Sequence, residues 1–387
     1  MRRVHVASPL LLALLWGGAC AHQPEAPPPP PRTVNVEELA RALPAKVKDR
    51  SGWADDILVA ILLAGKETTA ERACDVAAVL GQESGFVADP PVARLPSIVR
   101  EGLTEKLAPL GPLAAPALAA ILEGRAPGSA QTFGERIDAL KSERDLDRLF
   151  RDISAAYREE APGTFAVASA LSLLLGKGSF EDLNPVTTAG SMQVKVSFAR
   201  AQGGREGMDD ASVRELLYTR GGGVRFGTAR LIGYAASYDD VLYRFADYNA
   251  GAYSSRNAAF QEQLAELTGL PLVPDGDLLA WDKDGDARDV ETQSLKALLV
   301  FGAAHGLSAW TVKGDAKKEK SQAFEETKTW RALRAAFAEK HGREAPYARV
   351  PEVALSSPKL SKPRTTAWFA GRVKERYLAC RALLPGG

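Results

Sequence analysis

The chain has 387 residues, 45% of them apolar, and its 49 lysines and arginines nearly cancel 48 aspartates and glutamates, leaving a net charge of +1. No basic excess marks a nucleic-acid surface, and the apolar share is that of a globular protein rather than a disordered one. The length admits one large domain or two, and plentiful Ala and Leu with little strand-like alternation predict a mainly α fold.

The first segment reads as an address. Met1-Arg2-Arg3 precedes the apolar run LLLALLWGGAC, the layout of a secretory signal over residues 1–19 and too short for an ordinary membrane span. Gly17-Gly18-Ala19-Cys20 resembles a bacterial lipobox, with Gly17 where leucine is usual. That resemblance implies lipidation of Cys20, with palmitate among its acyl chains, and a membrane contact through the lipid anchor. Ala21 after the cysteine implies the outer membrane under the sorting rule of enteric bacteria, with the folded part facing the periplasm. Ordinary signal cleavage nearby, with Cys20 incidental, is the plainer alternative. Residues 20–35 include PEAPPPPPR, a stiff, extended tether. Export implies an oxidising compartment, where Cys74 and Cys380 are either one disulfide or two buried free thiols.

From residue 36 to 387 helical patterns follow one another. VEELARALP, WADDILVAILLAG and TTAERACDVAAVLGQES open the series, the last with threonine caps and an acidic first turn. A turn region, ADPPVARLP, leads into SIVREGLTEKLAPL, LAAPALAAILEG, TFGERIDALKSERDLDRLFRDISAAYREE and TFAVASALSLLL. Glu135, Arg136, Lys141, Glu143, Arg144 and Asp145 read there as a solvated helix face. NPVTTAGSMQ is a loop entering a helix, and residues 212–251 read as two or three helices broken at glycines. In the final pattern Phe369, Val373, Tyr377, Cys380 and Leu384 share one stripe, and Pro and Gly near 345–363 mark a loop.

One stretch is chemically odd. Val76, Ala77 and Leu80 make an apolar stripe that continues onto Glu83 and Ser84. A carboxyl on an inward face is costly unless paired or neutral, although Glu83 lies between Gly81 and Gly85 and could turn outward. Two later stretches belong with it: AGSMQV (189–194) and FADYNAG (245–251). In this order the three resemble the signatures of soluble lytic transglycosylases, which share the lysozyme-like fold of goose-type lysozyme. GTARLIGYAASYDDVLYRFADYNAG is similar to the helix pair before Tyr-Asn-Ala-Gly in those enzymes. The whole chain also resembles a family of Gram-negative lipoproteins of uncharacterised activity.

The resemblance implies a lysozyme-like helical domain over 36–387 with a large helical insertion at about 92–182, because the stretch between Glu83 and Gln193 is several times longer than in those enzymes. It implies Glu83 as the single catalytic acid and Ser84 as a substrate contact. Met192 and Gln193 would line the cleft, with Tyr248 close to the acid and Asn249 in the same turn. The chemistry agrees. Protonating a glycosidic oxygen needs a neutral carboxyl, and an apolar seat supplies one. A lytic transglycosylase then uses the sugar's own 6-hydroxyl, so one carboxylate suffices. Asp247 is the candidate second carboxylate of a lysozyme-type hydrolase, against the simpler expectation that it is surface-exposed, since adjacent helix residues point about 100° apart.

Other motifs are set aside. DKDGDARDVET (282–292) lacks the Gly and Glu of a calcium loop, having Ala287 and Gln293 at those positions. TRGGGVRFG lacks the phosphate-loop lysine and reads as a helix break. The four histidines are scattered, with no zinc spacing. No metal or cofactor is expected, and the expected partner is peptidoglycan. The leading expectation is an outer-membrane lytic transglycosylase. The alternatives are a non-catalytic envelope lipoprotein that binds glycan or protein, and a lysozyme-type hydrolase.

Overall fold

Side-chain caps mark the starts of many of the helices. The computed structural model describes residues 31–160, 184–282, 285–355 and 363–384. The signal, Cys20, most of the tether and the TFAVASALSLLL segment therefore lie outside the described residues. Helix α1 (Val36–Ala42) opens with a capping box in which Asn35 and Glu38 each accept from the other's backbone N–H. α2 (Arg50–Leu63) follows, and α3 (Ala70–Glu83) starts at the expected cap, the Thr69 hydroxyl accepting from Arg72 N–H.

Residues 95–160 are helical, as the patterning predicts: α4 (Leu95–Leu107), a 3₁₀ turn (Ala108–Leu113), α5 (Ala114–Glu123), α6 (Phe133–Asp138) and α7 (Glu143–Glu160). The stretch read as one pattern from Thr132 to Glu160 breaks between α6 and α7. There the Asp145 carboxylate accepts from the backbone N–H groups of Lys141 and Ser142, both at 3.0 Å, which holds the chain out of helical geometry.

A two-residue antiparallel pair, β1 (Thr188–Ala189) with β2 (Val194–Lys195), brackets a tight loop. It leads into α8 (Val196–Arg205), α9 (Asp210–Leu217), α10 (Arg220–Ile232) and α11 (Val241–Ala250). The glycine triplet 221–223 does not break a helix. It lies in the first turn of α10, whose start is fixed by the Thr219 cap. Next come α12 (Ser254–Thr268), α13 (Gln293–Ala304), α14 (Ala309–Ala316) and α15 (Lys328–His341). A second short pair, β3 (Ala354–Leu355) with β4 (Arg364–Thr365), runs into α16 (Thr366–Arg381). The fold is mainly α.

The principal core surrounds α3. Leu39, Ile57, Val79, Leu80, Leu217, Phe226, Phe245 and Val373 are buried together there. α12 to α15 close a second cluster around Phe260, Phe301, Trp330 and Leu333. α4, α6 and α7 close a third around Leu95, Phe133, Ile137 and Leu149. Leu146 of α7 packs on both the first and third clusters. On the same helix Arg144, Arg148 and Arg151 converge on Glu215 of α9, which they hold down at about 2, Arg148 most strongly. Fully buried Asp147 meets Arg214 of α9 at 2.8 Å. A disulfide joins Cys74 on α3 to Cys380 on α16, with Cα atoms 5.6 Å apart. Cys380 belongs to the predicted stripe, along which Phe369, Val373 and Leu384 are also buried.

Candidate active site

Glu83 is the last residue of α3 because the chain reverses immediately after it. Ser84 N–H and Gly85 N–H both donate to the Leu80 carbonyl, at 3.2 and 3.0 Å. Gly85 and Phe86 take left-handed backbone, φ +63° and +66°. Phe86 offsets the cost of that conformation by burying its ring edge-on against Trp53, centroids 5.6 Å apart. The Ser84 hydroxyl accepts from Val87 N–H at 3.2 Å and lies 3.4 Å from the Leu80 carbonyl, so it shapes this turn.

Glu83 is half-buried: the residue keeps some exposure to solvent while protein crowds its carboxyl. Among the described residues no hydrogen bond or ion pair occupies its carboxyl. Burial is the main cause that pushes its pKa up to about 8; the Glu143 carboxylate adds to the rise and the Arg230 guanidinium opposes it. Its surroundings therefore favour the neutral carboxylic acid well above the usual carboxylate range.

The loop between β1 and β2 supplies the second part. It fits onto α10 only because that helix carries glycines. A Cβ at Gly223 would come within 2.7 Å of Ser191 Oγ, and one at Gly227 within 2.2 Å of Met192 Sδ. Gly190, at φ +78°, lies so close to the Leu217 carbonyl that a side chain there would meet it at 2.2 Å. Met192 is fully buried, which corrects the expectation that its side chain lines a cleft: it fills the core, and its main-chain carbonyl accepts from Tyr248 Oη at 2.7 Å.

Gln193, at φ +49°, is fixed through its amide. Thr188 Oγ1 donates to Oε1 at 3.0 Å, and Nε2 donates to Glu143 Oε2 at 3.0 Å. With Gly190 O a further 3.4 Å partner of Nε2, this amide braces the loop.

α11 supplies the third part. Tyr248 is buried, its phenol pushed well above its usual range by burial, with the Glu83 charge adding and Arg230 opposing. Arg230 donates to the Tyr248 carbonyl at 3.0 Å and lies over the ring at 5.5 Å. Asn249 is half-buried and accepts from Thr366 Oγ1 of α16 at 2.9 Å.

Asp247 requires the other correction. It is 1% exposed, so it is not a surface residue. Its carboxylate accepts from Tyr234 Oη, Tyr238 Oη, Tyr253 N–H and Ser255 N–H, at 2.9, 2.6, 2.9 and 2.7 Å. Those four donors spend its lone pairs on fastening the α11–α12 connection, which disqualifies it as the second carboxylate.

Glu143 departs most from the sequence reading. It is 4% exposed rather than on a solvated face. The signal was present: Glu143, Leu146, Asp147, Phe150 and Ser154 fall at helical spacing, and the rule that singled out Glu83 applies to Glu143 as well.

A family model described as "Protein of unknown function (DUF1615)" matches residues 46–382. The "Uncharacterized protein YaiW" of Escherichia coli (strain K12) is 34% identical over 388 residues, covering 98% of this chain and 99% of that protein. No solved structure matches.

Proposed function

The chain belongs to the DUF1615 family, and from that premise we propose that it is an outer-membrane lipoprotein that cleaves the glycan strands of peptidoglycan as a lytic transglycosylase. Glu83 is the acid and then the base. One observation carries the reading: of the carboxyls in this region, Glu83 alone is unbonded among the described residues, raised to about 8, and borne by a residue that keeps some exposure. Asp247 is raised too, but it is sealed by four donors.

The chemistry is balanced without water. Protonated Glu83 gives its proton to the glycosidic oxygen as the bond from that oxygen to the sugar C1 breaks. The resulting carboxylate takes the proton of the same sugar's 6-hydroxyl as its oxygen bonds to C1. The product is a 1,6-anhydro sugar, and Glu83 is again protonated. Crowding favours the neutral acid before the step, and Arg230 favours the carboxylate during it. Tyr248, anchored on the Met192 carbonyl, and Gln193, anchored between Thr188 and Glu143, hold the surrounding wall. Ser84 and Asn249 are half-buried polar residues at the ends of α3 and α11. The lipobox-like Cys20 and the proline-rich tether suit a domain held facing the cell wall. A lysozyme-like fold is part of the same proposal, supported by the order of the three motifs and by their convergence around Glu83.

The test is digestion of purified sacculi by the protein and by Glu83→Gln, with products resolved by mass. Anhydro-terminated fragments that vanish in the variant are expected. Reducing-end fragments would instead mean hydrolysis. Intact glycan that retains the protein would mean a binding lipoprotein without activity.

A further inference from the structure

The extra helices between the first two motifs bring a carboxylate to the proposed acid. Glu143 is the first residue of α7 and, with Asp147, one of two buried charged residues among the described residues of that segment. Three contacts fix it to the site. Gln193 Nε2 donates to its Oε2 at 3.0 Å. The Tyr218 hydroxyl lies 3.4 Å from its carbonyl. Its helix is clamped to α9 by Arg144, Arg148 and Arg151 on Glu215 and by Asp147 against Arg214. Gln193 belongs to the loop whose preceding carbonyl receives Tyr248, so a continuous chain of contacts runs from α7 through the loop to α11. We infer that Glu143 is a positioning residue of this site, whose buried carboxyl faces Glu83 and whose tether sets the orientation of the Gln193 amide.

This inference rests on the proposed reading of Glu83 and deepens it. Among the described residues, the charged and titratable groups acting on Glu83 come from three elements: Glu143 from α7, Arg230 from α10 and Tyr248 from α11. One residue along α3, Gln82 accepts from Arg376 of α16 at 3.3 Å. Of these, only Glu143 bears a like charge, and a like charge nearby disfavours ionisation. Arg230 acts the other way but is occupied by the Tyr248 carbonyl and ring. Burial alone would raise the acid; Glu143 makes the rise depend on the inserted segment.

The experiment is a direct titration of the Glu83 carboxyl by infrared difference or carboxyl NMR. It uses the full chain without substrate, with Glu83→Gln as the blank. Glu143→Gln keeps an oxygen for the Gln193 amide and removes the charge. It is expected to lower the Glu83 midpoint by about one unit. An unchanged midpoint overturns the inference. Glu143→Asp keeps the charge and is expected to leave the midpoint within about half a unit of the unmodified protein; a fall as large as in the Gln variant overturns the charge argument. If Glu143→Gln does not fold, Glu143→Asn, which removes the charge on a shorter side chain, is titrated in its place with the same expected fall, and an unchanged midpoint there overturns the inference. The titration needs no turnover, so the two readings fail separately. A shifted midpoint in a protein that releases no glycan product sinks the enzyme and leaves Glu143 as the group that sets the acid.

Discussion

The Tyr248 hydroxyl donates to the Met192 carbonyl across 2.7 Å, joining two segments 56 residues apart. That bond replaces the tyrosine's access to solvent, so Tyr248 builds the site and does not itself titrate in the working range. Tyr248→Phe leaves the carbonyl buried without its donor and is expected to cost about 1–2 kcal/mol, read from urea unfolding. Any glycan-cleaving rate should fall with it, because the loop that carries Gln193 loses an anchor.

On the proposed reading, Glu83→Gln separates catalysis from stability. Cleavage is expected to fall by roughly 10²–10⁴-fold, the usual contribution of general acid–base chemistry. Stability moves the other way at high pH. Glu83 binds its proton more tightly folded, with a pKa of about 8 against an ordinary 4.5. Between those values the folded protein holds a proton that the unfolded chain releases. The group's contribution is therefore fully present below about pH 4.5, is lost as pH rises through 8, and is flat beyond. The Gln variant is expected to be more stable than the unmodified protein at pH 9 by about 2–3 kcal/mol, less than the full linkage because the side chain keeps solvent access. The difference should vanish below about pH 4. Thermal melts at the two pH values check both signs.

Asp247→Asn tests the anchor of the α11–α12 connection. One carboxylate oxygen becomes an NH₂ that faces donors, so at least one of the four bonds turns repulsive. A loss of about 2–4 kcal/mol is expected, with the midpoint of chemical unfolding as readout. A loss below about 0.5 kcal/mol would show that the network is not what fastens this turn.

Gly227→Ala tests the seating of the loop on α10. In most exposed helix interiors alanine stabilises relative to glycine, by roughly 0.5–1 kcal/mol. Here the added Cβ meets the Met192 side chain at 2.2 Å, and overpacking of about 1–3 kcal/mol wins. The variant should melt lower, and the Tyr248–Met192 bond should be disturbed with it.

Removing the disulfide by Cys74→Ala with Cys380→Ala is expected to cost about 2–5 kcal/mol. Melts of the reduced and oxidised unmodified protein should bracket the same difference.

Much of this was legible in the residues. The Thr69 cap, the stripe through Leu80 and the stripe from Phe369 to Leu384 each obey a local rule, and each produced the expected helix. Glu83 was legible because a carboxyl interrupted such a stripe. Glu143 obeyed that rule too, but its neighbours Arg144, Asp145 and Arg148 look like a solvated face until Glu215, over 60 residues away, is seen to gather three arginines. Asp247 was obscured for a similar reason. Its donors come from Tyr234 and Tyr238 on one side and the backbone of Tyr253 and Ser255 on the other, and no local pattern announces a four-donor cage. The glycines of α10 looked like punctuation, because their purpose is visible only once Ser191 and Met192 lie against them.

The bridge between α3 and α16 also sets an order of events. Its two halves are 306 positions apart, and a chain grows from its N-terminal end. The helix that ends in Glu83 is therefore synthesised early and waits, covalently open, until nearly all the intervening sequence has been made. Closing the bridge is therefore among the last covalent steps, because its second half is made only near the end of synthesis.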